Sequence, residues 1–302
     1  MNTLKAIFIT AAALLSLALP ACASPAIPHE RDGLIHVVAS TNVYGDIAKQ
    51  IGGDRVLVTS IITDPSQDPH SFEAGAKVQL ELSTAEVVIQ NGGGYDDFVD
   101  TLLKGANNST AKILNVATIS GYDQEPASGS FNEHLWYDLV TVQKLATELA
   151  QQFTRQDPNS AAAFAARLAT FSGALTALEN AQSKLSSTAS GIGVAITEPV
   201  PLYLLKAVGM VNQTPQAFSS AIEAGTDVPP LVLQQTLVLF SDHRVKLLVF
   251  NEQTSGPETQ QVIRAAKTAG VAVVPMRETL PPATSYLDWM SANLAAVTGA
   301  LK

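Results

Sequence analysis

Two histidines and three glutamates in this chain have the type and setting to hold a cation. His70 stands in Asp68-Pro69-His70-Ser71-Phe72-Glu73; Pro69 fixes its own φ and biases Asp68 toward extended backbone, so the imidazole is presented on a stiff loop. His134 lies in a second, aromatic-flanked loop, Asn132-Glu133-His134-Leu135-Trp136-Tyr137-Asp138, whose last residue is placed to cap the next helix. Glu198, Glu252 and Glu278 each follow an apolar, strand-like run. Two neutral imidazoles with two carboxylates neutralise a divalent cation, and a bidentate carboxylate takes the coordination number above four. Taken singly, each residue has an ordinary alternative: a histidine hydrogen-bonded at its own loop end, or a glutamate at a helix start or in solvent. Only their joint placement makes a site.

The elements around these residues set that placement. Strand-like runs at 36–40, 56–62, 85–90 and 112–116 alternate with helix-like runs at 43–51, 74–83, 95–103 and 138–153, the signature of βαβ units in a parallel sheet. Asp157-Pro158 then opens the longest helical pattern, with Asp at the N-cap and Pro at the first helical position. Phe164, Leu168, Phe171, Leu175, Leu178 and Leu185 fall on one face of it. Running to about Ser187, it reaches about 45 Å at 1.5 Å per residue, enough to cross two lobes. The rhythm restarts after Gly191, with strands at 193–197, 245–250 and 271–275, a segment at 202–208, helices at 230–240, 257–269 and 286–301, and a less regular stretch up to Asp227. The expected fold is therefore α/β: two Rossmann-like parallel-sheet lobes, 34–156 and 189–302, joined by one long rigid helix at 157–188. Ligands in such sheets collect beyond the carboxyl ends of the strands, which is where the five residues fall, so the site is expected in the inter-lobe cleft. Asn91-Gly92-Gly93-Gly94 reads as a tight βα turn; a dinucleotide fingerprint would need glycine where Asp97 stands.

Composition narrows the partners. The net charge is −9 and only 15% of residues are charged, which argues against nucleic acid. A single cysteine excludes an intramolecular disulfide and a Cys-based zinc knuckle. Lys5, the apolar run from Ala6 to Leu19 and the small residues after it read as an export signal over 1–23, too short for the ~20 residues of a membrane span, and no later segment is expected to span either. Leu19-Pro20-Ala21-Cys22 looks like the lipobox of bacterial lipoproteins, in which Cys22 is acylated and anchors the chain; plain cleavage after Ala21-Cys22-Ala23 is the alternative. The expected location is the outer face of the cytoplasmic membrane, or otherwise the periplasm, with 24–33 as a Pro-rich tether. His-Glu-x-x-His, Gly-x-Ser-x-Gly and Walker patterns are all missing, so the leading expectation is a binding protein and not an enzyme. The competing class is a secreted metal-dependent hydrolase on the same His/Glu residues, which would need an open coordination position and a general base.

The motifs at 68–73 and 133–138, Thr197-Glu198-Pro199, Phe250-Asn251-Glu252-Gln253 and Arg277-Glu278-Thr279-Leu280-Pro281, followed by Tyr286 and Trp289-Met290, resemble the zinc/manganese solute-binding proteins of bacterial ABC importers. The resemblance covers nearly the whole mature chain. It implies His70 and His134 as ligands from the first lobe, Glu198 at the third ligand position and Glu278 in the place of a family aspartate. Glu252 would then stand behind the ligands and hold the cleft together. The second family motif usually reads Asp-Pro-His, so Asn132-Glu133 before His134 is a departure. The resemblance further implies a monomer that carries Mn2+ or Zn2+ to an ABC permease. Glutamate at the third position, and no histidine in Gly121–Phe131, resemble the manganese-type branch, while zinc binds most N/O sites more tightly. The balance leans to manganese or an unselective site.

Overall fold

Alternation with period two decides which side of each strand faces which core. In β1 (Ile35–Thr41), Val37 and Ala39 join one apolar cluster and Val38 another; in β3 (Val87–Gln90), Val87 and Ile89 follow the first and Val88 the second. The computed structural model describes residues 33–64, 67, 72, 75–127, 129–254 and 256–302. The expected export signal, Cys22, nearly all of the tether and His70 lie outside the described residues.

β1 and β3 pair in parallel with each other and with β2 (Val56–Ile62) and β4 (Lys112–Asn115), in the order β2-β1-β3-β4. The second lobe repeats this order with β5 (Gly193–Ile196), β6 (Val211–Asn212), β7 (Leu247–Asn251) and β8 (Ala272–Met276), as β6-β5-β7-β8. Both sheets therefore reverse direction of growth between their first and third strands, the position where open α/β sheets bind ligands. The helices in chain order are α1 (Asn42–Gly52), α2 (Ala76–Thr84), α3 (Phe98–Ala106), α4 (Val116–Ser120), α5 (Leu139–Gln156), α6 (Ala161–Ala189), α7 (Leu202–Ala207), α8 (Gln216–Glu223), α9 (Pro230–Ser241), α10 (Pro257–Thr268) and α11 (Tyr286–Ala300).

The long helix is present as expected, preceded by a 3-10 turn at Pro158–Ser160. Asp157 accepts from Ser160 Oγ at 2.5 Å and pairs with Arg55 at 2.8 Å. Phe164, Phe171, Leu175, Leu178 and Leu185 of α6 are buried. They belong to one apolar cluster that also holds Val37 and Ile89 of the first sheet and Val194, Ile196 and Val249 of the second. The outer face of each sheet has its own smaller cluster, around Val38 and Val88 in the first lobe and around Ala195 and Leu248 in the second.

Three local expectations are corrected. Segment 158–189 contains an 18-residue stretch that is, by length and composition, apolar enough to cross a membrane, contrary to the expectation that no later segment qualifies. Much of that hydropathy is alanine, and the helix uses its large apolar side chains to join the two sheets. The fourth strand stops at Asn115, whose Oδ1 accepts from Thr118 N at 2.9 Å and starts α4. The stretch read as irregular contains β6 and α8, which carries a residue of the site.

Candidate metal site

His134 begins as a loop residue and ends almost fully buried, 1% exposed. Its ring packs edge-on against Trp136 at 5.2 Å and Tyr95 at 6.1 Å. Asn132 sets its orientation: Oδ1 takes the His134 backbone N–H at 3.2 Å and lies 2.7 Å from Nδ1. An oxygen that already accepts one N–H accepts the ring N–H too, which leaves the Nε2 lone pair for a ligand. Asn132 is itself held by the second lobe, donating to Pro199 O at 3.2 Å while its carbonyl accepts from Tyr203 Oη at 2.8 Å. From the first lobe, Asn91 Nδ2 donates to Glu133 O at 2.9 Å. The turn at Gly92 and Gly93, with φ of +71° and +66°, lets Asp96 close back on Asn91 N and Gly92 N at 2.6 and 2.8 Å. A Cβ on Gly93 would sit 2.3 Å from Phe131, so this tight turn and the histidine loop are packed together.

The carboxylates come from the carboxyl ends of the second sheet. Glu198 follows β5 and is 3% exposed; Glu278 follows β8 and is 5% exposed. Asn251, the last residue of β7, lies between them. Its Nδ2 donates to Glu198 Oε2 at 2.5 Å, Glu278 Oε1 at 2.7 Å and Thr254 Oγ1 at 3.0 Å, so two hydrogens serve three acceptors. Gln253 Oε1 accepts from the backbone N–H groups of Glu278 and Thr279 at 2.7 and 3.1 Å. Burial and the Glu278 carboxylate push the Tyr95 phenol up, which places Glu278 beside the aromatic wall of His134.

Glu252 stands apart. Both its oxygens take Arg277 at 2.8 Å in an exposed fork, and its backbone N–H donates to Met276 O. Arg277 O in turn accepts from Tyr137 Oη at 2.8 Å. Glu252 thus braces the segment that presents Glu278, through an ion pair of small net energy.

A further carboxylate reaches the site. Glu223, the last residue of α8, brings Oε1 to 3.9 Å from His134 Nε2, and ligand atoms of Glu133, His134 and Glu223 all lie within 4.8 Å of one another. Burial, then repulsion from Glu133, Glu198 and Glu278, pushes its carboxyl up to about 8. Its ordinary value is 4.5. Between those two values the folded chain holds a proton that the unfolded chain has released, so unfolding free energy falls as pH rises through that window. Thermal unfolding of metal-free protein is expected to show this slope, and Glu223→Gln to make it shallower; an unchanged slope would contradict the assignment.

The structure therefore groups His134 with Glu133 and Glu223, links Glu198 to Glu278 through Asn251, sets Glu252 outside, and adds Asn251 and Gln253. Period two was the available signal for the last pair: in a strand ending at 251, residues 251 and 253 share a side and 252 takes the other. Glu223 had no such signal, because β6 is two residues long.

Comparison with known proteins agrees with this architecture. Over 226 residues, 67% of this chain and 73% of the relative, the protein is 24% identical to the manganese ABC transporter substrate-binding lipoprotein ScaA of Streptococcus gordonii. It is 25% identical over 239 residues to the iron ABC transporter substrate-binding lipoprotein MtsA of Streptococcus pyogenes serotype M1, covering 71% of this chain and 76% of that one. In fold it is similar to the periplasmic zinc binding protein TroA from Treponema pallidum, with a TM-score of 0.74 at 16% identity over 89% of this chain and 99% of that one. The family profile described as zinc-uptake complex component A, periplasmic, matches residues 37–300, and the chain belongs to that family of metal solute-binding proteins.

Proposed function

We propose that this protein captures a divalent transition metal ion, manganese or zinc, outside the cytoplasmic membrane and delivers it to an ABC permease. The observation that carries the reading is the buried His134, with Nδ1 engaged by Asn132, in a setting crowded with carboxylates from the second lobe. Buried like charges at this density call for a cation. The proposed ligands are His70, His134, Glu198 and Glu278, with Glu252 acting through Arg277. The ion is cargo, and no bond in it or in the protein is broken. Relatives named for manganese and for iron and a structural neighbour named for zinc support a transition metal without choosing one. Oxygen donors favour manganese or an unselective site.

The lobes are taken as 34–156 and 189–302 around the helix at 157–188. Cys22 is proposed as a lipid anchor joined to the folded body by 24–33, the whole acting as a monomer at the membrane surface. The alternative of a metal-dependent hydrolase draws no support from the family, which comprises transporter components.

The test is elemental analysis of protein purified from its native envelope, followed by zinc–manganese competition on wild type, Glu278→Gln and Glu252→Gln. Glu278→Gln is expected to lower affinity by about tenfold or more and Glu252→Gln by less than about threefold. The reverse ranking would make Glu252 the fourth ligand.

A further inference from the structure

The geometry points to Glu223 as an additional ligand that biases the site toward larger, oxygen-preferring ions such as Mn2+; this rests on the metal-capture reading above. Glu223 Oε1 is buried and makes no hydrogen bond among the described residues. Its 3.9 Å approach to His134 Nε2 is too long for a hydrogen bond. It does match two donors on one ion, which sit about 3 to 4.3 Å apart when each bond is about 2.0–2.2 Å. Because Asn132 engages the other ring nitrogen, the nitrogen facing Glu223 is the one free of the ring proton.

The position of Glu223 in the fold supports this role. It ends α8, a helix of the second lobe, yet its Oε1 lies 3.9 Å from the Nε2 of a histidine of the first. It therefore approaches the ion from a different element than Glu198, after β5, and Glu278, after β8. With His134, Glu198 and Glu278 the donor set among the described residues becomes one imidazole with three carboxylates, and a single bidentate carboxylate takes it above four donors. Zinc fills a four-coordinate shell well, whereas hard oxygen ligands in larger numbers suit manganese. A third carboxylate also overcompensates a divalent charge, which a strongly bound, low-coordinate ion does not need.

The experiment measures Mn2+ and Zn2+ affinities of the full chain by competition against a fluorescent chelator, for wild type, Glu223→Asp, Glu223→Gln and His134→Ala. Glu223→Asp keeps the charge but shortens the reach by one methylene, so it separates ligation from simple electrostatics. Both Glu223 variants are expected to lose about tenfold or more in Mn2+ affinity while Zn2+ affinity changes by less than about threefold. Retained Zn2+ binding also reports that they fold. Three results overturn the inference: Mn2+ affinity unchanged in either variant, equal loss for both metals, or wild-type behaviour of Glu223→Asp beside a defective Glu223→Gln. His134→Ala identifies failure of the underlying reading: if it binds both metals as wild type does, the site lies elsewhere, whereas its loss beside neutral Glu223 variants sinks only the role of Glu223.

Discussion

His134→Ala is expected to lower the affinity for Mn2+ and Zn2+ by about a hundredfold or more, read by competition titration with the protein's fold checked by thermal unfolding. The size of the effect follows from how completely the ring is committed. Nδ1 is engaged by Asn132, both flanks are packed by Tyr95 and Trp136, and water has almost no access. Alanine removes the ligand and leaves a pocket in which Glu223 meets Glu133, Glu198 and Glu278 without the imidazole. Affinity within threefold of wild type would refute the placement of the ion at this histidine.

Phe171→Ala is expected to destabilise the folded chain by about 3–5 kcal/mol, measured by urea unfolding, with the transition remaining single. Phe171 is 2% exposed in the middle of α6 and stacks on Tyr286 at 6.3 Å. Tyr286 opens α11, donates through Oη to Trp136 O at 2.7 Å and through its backbone N–H to Asp46 at 2.8 Å. The cavity would therefore open where the second lobe's last helix meets the first lobe's first helix. Two resolved transitions, or a loss below 1 kcal/mol, would contradict the continuity of the core at this point.

Much of the architecture was legible because the parallel strands are buried on both faces and read as continuous apolar runs. Val87-Val88-Ile89 is such a run, and all three are fully buried. The long helix was legible because one face repeats large apolar residues at helical spacing. Its membrane-like hydropathy was missed because alanine adds to hydropathy without adding to that face. The ends of elements were less legible: Asn115 turns a strand into α4 through a single side-chain hydrogen bond, which no periodicity announces. In the site, the carboxyl ends of strands pointed to Glu198 and Glu278. Asn132, part of the departure from the family motif before His134, has the task of orienting the ring. Glu223 was out of reach, since it belongs to a short helix after a two-residue strand and meets His134 only when the two lobes are folded together.

The apolar cluster that runs from one sheet through α6 to the other also ties occupancy to survival. A ligand that binds only the folded chain stabilises it by RT ln(1 + [L]/Kd), and here that stabilisation cannot be confined to one lobe, because the lobes share their largest core. A metal ion bound by the folded chain is therefore expected to protect the whole of this shared core, Leu185 of α6 included, from unfolding and from proteolysis. Where the metal is scarce, the empty form is expected to be the more perishable one, so the amount of folded protein that persists would itself follow the supply of metal.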